Sequence, residues 1–165
     1  MTNEITRSPS RFGTAIALTF ALVSVFATAV SSTIGAAGAL AGLLALGIGL
    51  AIASQRAIGV GGTLLLVGVL AAGYTGSAPE PLLVGALTGV LAFDAASNAL
   101  AIGEQLGRES STVRAEIVHS AASLGVGSTA IVVGYAVFAV SAGGQPLAAL
   151  LLLAGGAVAL VTGLR

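Results

Sequence analysis

The chain has 165 residues, 56% hydrophobic and only 7% charged, with a formal net charge of zero and a mean hydropathy of +1.07. A water-soluble domain carries about a quarter of its residues as charges, because its surface faces water, so this composition excludes such a domain and makes lipid the expected solvent. The zero net charge leaves no nucleic-acid footprint, and the absence of cysteine removes disulfides, thiolate nucleophiles and cysteine-based metal sites.

The expected fold is all-α: a polytopic transmembrane helical bundle of six spans, forming one membrane domain over 13–165 behind a cytoplasmic tail over 1–12. Six spans of about 20 residues use roughly 120 residues, which leaves short connections and no room for a further domain. Span one covers 13–30 and turns through Ser31-Ser32-Thr33. Ala27-Thr28-Ala29 at its outer end also matches a signal-peptide cleavage site; the expectation is an uncleaved first span, and cleavage would leave five helices with the mature N-terminus outside. Span two, 36–53, ends at Ser54-Gln55-Arg56, and span three, 57–72, is broken by Gly73-Tyr74-Thr75-Gly76. Ser77-Ala78-Pro79-Glu80 then predicts a capping box, with proline in the first turn. It opens span four, 81–103, whose helical pattern continues past Asp94 to about Gly107. Span five covers 115–140, Ala142-Gly143-Gly144-Gln145-Pro146 makes the last outer turn, and span six covers 147–164. Lipid offers no partner to unpaired backbone amides, so these runs must be helices; the alternating segments of a closed barrel are missing.

Charge gives the orientation. All six basic residues are arginines. Arg7 and Arg11 precede span one, Arg56 separates spans two and three, Arg108 and Arg114 separate spans four and five, and Arg165 follows span six. Basic residues beside membrane spans stay on the cytoplasmic face, so both termini are expected inside. The 24 glycines include the small-xxx-small pairs Gly38/Gly42, Gly85/Gly89 and Gly103/Gly107, which point to close helix packing in general. A division into three spans plus three suggests an inverted repeat, without a residue-level match to support it.

Asp94 is the most costly residue for a membrane. About 14 residues beyond Glu80, it lies roughly 21 Å along the helix, within the inner third of the hydrocarbon. Asp94, Ser97, Asn98, Gln105 and Arg108 share one stripe of span four. That stripe is read either as a helix interface held by side-chain hydrogen bonds or as the wall of a water-filled vestibule relaying a proton or ion. His119 is the only histidine, with Glu116 one turn before it and Ser123 one turn after. Matching depths across a tight hairpin places His119 near Ile102 and Ser123 near Asn98. His119 is then either an interfacial residue paired with Glu116 or Gln105, or part of a proton path with Glu116 and Asp94, since histidine titrates near neutrality. The candidate intramembrane polar path is thus Asp94, Ser97, Asn98, His119 and Ser123.

The stretch from Glu104 to Glu116 is the one charged loop outside the N-terminus. Glu104, Arg108, Glu109, Arg114 and Glu116 form a candidate cytoplasmic contact surface, with Glu104 and Arg108 in the favourable order for a helical ion pair. Glu116-x-x-His119 matches one arm of a carboxylate-bridged di-metal bundle, but the second arm and two further glutamates are missing. No hydrolase, metalloprotease or phosphate-loop motif is present. No catalytic, metal or cofactor-binding residue is therefore assigned.

Three segments carry a resemblance: Phe93 to Glu109, Arg114 to Leu124, and the turn Gly143-Gly144-Gln145-Pro146. Together they resemble a small uncharacterised family of integral membrane proteins from halophilic archaea. The family has no established activity, so no site residue carries over. The resemblance implies a helper role beside a MoxR-type AAA ATPase system. The expected function is a small structural or partner-binding subunit of a complex in the cell membrane, with the Glu104–Glu116 tip as its contact surface and a homo-oligomer compatible with its small residues. The alternative is a small transporter or channel subunit using Asp94, Asn98 and His119.

Overall fold

A computed structural model describes residues 7–107 and 112–140. They form five helices: α1 (Arg11–Ala29), α2 (Thr33–Ala51), α3 (Gln55–Tyr74), α4 (Pro79–Leu106) and α5 (Val113–Val140). All five are long and apolar enough to cross a membrane, and no strand occurs among the described residues. The run over 147–164 lies outside the described residues.

Serine starts each of the first three helices. Ser10, Ser32 and Ser54 accept hydrogen bonds from the amides of Gly13, Gly35 and Ala57, satisfying donors that a helix start leaves bare. α2 therefore begins at Thr33 and not at residue 36. It ends at Ala51 because Ala53 takes a left-handed conformation, φ +50°. The cap of α4 falls one residue after the Ser77 expected from sequence. The cap residue is Ala78, which has no side-chain acceptor, while Ser77 Oγ donates to the carbonyls of Ser31 (3.0 Å) and Ala72 (2.9 Å). Pro79 and Pro81 in the first turn remove two amides that a cap would serve.

The chain divides into a unit Met1–Gly127 and a unit Ser128–Arg165. In the first, α1 to α4 close a ring of neighbours, with α1 against α2, α2 against α3, α3 against α4 and α4 back against α1. The shared core is made of small and branched side chains, among them Ala17, Ala21, Ala39, Leu46, Ile58, Leu65, Ala92 and Ala96. In lipid no hydrophobic force drives helices together, so close backbone approach and interhelical hydrogen bonds must do so. Both are present: Ser24 Oγ of α1 donates to the Gly85 carbonyl of α4 at 2.8 Å, and glycines line the seam between α2 and α3. In the second unit the described residues continue α5 to Val140, where the rings of Tyr135 and Phe138 stack with centroids 6.3 Å apart.

Candidate functional site

Asp94 lies 15 residues into α4 from Pro79, about 22 Å along a helix long and apolar enough to cross a membrane. His119 Nε2 of α5 lies 2.9 Å from Asp94 Oδ2, and Ser123 Oγ donates to the same oxygen at 2.9 Å. The two α5 residues are one turn apart and present their polar atoms to one point on α4. With the carboxylate ionised, the imidazole proton on Nε2 is the donor. Both contacts converge on Oδ2, so Asp94 Oδ1 and His119 Nδ1 have no partner among the described residues. The side chains remain open to their surroundings, His119 at 42% and Asp94 at 39%.

The rest of the expected polar stripe divides. Ser97 accepts from Gln55 Nε2 of α3 at 3.1 Å, away from α5. Asn98 is half-buried one turn below Asp94, and Gln105 is exposed near the end of α4. The depth matching also differs from a tight hairpin. His119 meets Asp94, eight residues beyond Ile102 along α4, and Ser123 meets Asp94, four residues beyond Asn98. The last turn of α4 overhangs the start of α5, so His119 and Ser123 sit one to two turns deeper than a tight connection gives.

Glu116 does not stand on a solvated tip. It is 2% exposed, its Oε2 accepting from Ser10 Oγ at 2.7 Å and its Oε1 from Thr112 Oγ1 at 2.6 Å. Ser10 is also the cap of α1, and its backbone amide donates to the Ala99 carbonyl of α4 at 3.0 Å. The carboxylate therefore sits at the amino end of α1, where the helix dipole favours negative charge, and ties α1, α4 and α5 together. Gly13 makes room for it: a Cβ there would strike Glu116 Oε2 and lie 2.7 Å from Ser10 Oγ. Glu104 and Arg114 are exposed, while Arg108 and Glu109 lie outside the described residues. Sequence reasoning missed Ser10, Thr112 and Gln55. The one available signal was the position of Ser10 at a helix start.

A cavity of about 460 Å³ opens along α3 and α4, lined by Gly59, Gly62, Thr63, Gly89, Val90, Phe93 and neighbouring apolar side chains. It includes none of the residues of the expected polar path, and its lining is apolar apart from Thr63.

No curated protein and no solved structure matches the chain. Residues 7–161 match the family of unknown function DUF7519, a stretch that takes in all five described helices and the Asp94–His119–Ser123 cluster, and the chain belongs to that family.

Proposed function

We propose that this is a cell-membrane protein of six spans with both termini on the cytoplasmic side, acting as a small structural or partner-binding subunit of a membrane complex. The carrying observation is the openness of Asp94 and His119, 39% and 42% exposed, at a depth where lipid offers no hydrogen-bond partner. A polar pair there is stable only against protein or water. His119 and Ser123 of α5 reach Asp94 of α4 through their side chains, and the cavity along α3 and α4 has other walls. That separate lining favours a protein-covered face over a water-filled path. A cytoplasmic partner, by resemblance a MoxR-type AAA ATPase system, would meet the exposed Glu104 and Arg114, with Arg108 and Glu109 between them in sequence.

The test is extraction of the tagged protein in mild detergent, with assembly mass and composition read by native mass spectrometry. The expected result is a stoichiometric assembly that weakens when Asp94 is replaced by leucine. A monomer that conducts protons in liposomes, with conduction abolished by Asp94→Asn, would overturn this reading in favour of a transporter. The direct contact of two titratable groups, Asp94 and His119, is what makes that outcome concrete.

A further inference from the structure

We propose that the groove along α3 and α4 binds one anionic lipid, with an acyl chain in the groove and the headgroup phosphate on Arg56. The inference rests on the membrane placement proposed above and is independent of the subunit reading.

The apolar part of the site is the cavity of about 460 Å³, within the roughly 300–1,000 Å³ of sites that hold small ligands. Gly59, Gly62 and Gly89 bring no side chain to it, and Val67, Leu70 and Phe93 help to wall it. At Gly59 the space is open: a Cβ there would meet nothing within 4 Å. Thr63 carries the one hydroxyl of the lining, and it already donates to the Gly59 carbonyl at 2.9 Å. A polar guest would lose its hydrogen bonds to water in such a groove, whereas a hydrocarbon chain has none to lose.

The polar part stands at one end. At about 100° per residue, Arg56 lies on the same side of α3 as Gly59, Thr63, Val67 and Leu70, at the head of the groove. Across that end Gln55 Nε2 donates to Ser97 Oγ of α4 at 3.1 Å. α3 has 20 residues, about 30 Å, which matches the hydrocarbon thickness of a bilayer and sets its first turn at the headgroups. Arg56 is exposed, and the one ion pair among the described residues is that of His119 with Asp94. Glu116 is held by Ser10 and Thr112, and Glu80 is in the first turn of α4, at its other end. Glu104 lies seven residues beyond Ser97 along α4, about 10 Å farther out. The guanidinium is therefore left for an outside anion, and its planar fork fits a phosphate. A zwitterionic headgroup brings its own cation to that place, so a lipid of net negative charge fits better.

Gly59→Leu fills the groove and Arg56→Gln removes the cation, and neither residue is buried. The readout is native mass spectrometry of the purified protein in detergent, given equimolar phosphatidylglycerol and phosphatidylcholine. The unmodified protein should retain phosphatidylglycerol several-fold over phosphatidylcholine. Arg56→Gln should lose most of that preference, Gly59→Leu should retain less of both lipids, and Glu104→Gln should behave as the unmodified protein. Millimolar inorganic phosphate should leave the bound phosphatidylglycerol in place; its displacement would show a site for free anions and overturn the proposal. Equal retention of the two lipids, or a preference that survives both Arg56→Gln and Gly59→Leu, would also overturn it and leave the membrane placement standing. Retention of neither lipid would count against both.

Discussion

At the residue scale the most constrained side chain is Glu116, a carboxylate that sequence reasoning placed on a charged tip. Its burial depends on a hydroxyl 106 residues away in the chain, Ser10, and no local spacing reveals such a partner. Replacing Glu116 with alanine strands Ser10 Oγ and Thr112 Oγ1 without their acceptor and empties the space beside Gly13. The expected cost is about 1–3 kcal/mol, read as a fall in the thermal unfolding midpoint of the purified protein in detergent. Glu116→Gln keeps acceptor oxygen and should lose less. Equal stability of Glu116→Ala and the unmodified chain would show that this junction contributes nothing. Asp94, by contrast, was legible from sequence because an ionisable residue deep in an apolar run stands out by its cost. Its partners were misplaced in depth, because the tight-hairpin assumption fails, and in identity: His119 pairs with Asp94 and not with Glu116 or Gln105, since Glu116 is held by Ser10 and Thr112.

At the element scale, five of the apolar runs are helices long and apolar enough to cross a membrane, α1 to α5. The helix seams were less legible. The small-residue pairs pointed to close packing in general, and both Gly38 and Gly42 do lie at the α2–α3 seam, which continues at a seven-residue spacing through Gly35 and Gly49. Gly35 of α2 faces Gly68 of α3, Gly42 faces Gly61 and Gly49 faces Ile58, and all three α2 glycines are buried. A Cβ on Gly42 would lie 2.5 Å from the Leu65 amide nitrogen, and one on Gly61 2.5 Å from that of Leu46. In a chain so rich in glycine and alanine, many spacings mimic a packing motif, and only the backbone separation tells which are used. Gly42→Leu should force α2 and α3 apart and destabilise the protein by about 1–3 kcal/mol or more, measured by thermal unfolding in detergent. Gly59→Leu, at a position with nothing within 4 Å, serves as the control and should be close to neutral. If both variants unfolded alike, the close seam would not be what holds α2 to α3.

At the scale of the whole molecule, composition pointed to lipid, and the five described helices are long and apolar enough to cross a membrane; the arginine positions give the proposed orientation. Neither pattern says what the α4–α5 face meets, and the convergence of His119 and Ser123 on Asp94 Oδ2 appears only in the structure. The account stands on one claim: this polar face is in the membrane and sealed by protein, with the start of α5 at the cytoplasmic surface. The most direct measurement is labelling of single cysteines by a membrane-impermeant maleimide, in sealed vesicles of both orientations. Arg114→Cys should label from the cytoplasmic side alone, and Ala122→Cys from neither side. Rapid labelling of Ala122→Cys from either side would contradict the account, because the thiol beside Asp94 and His119 would then face water.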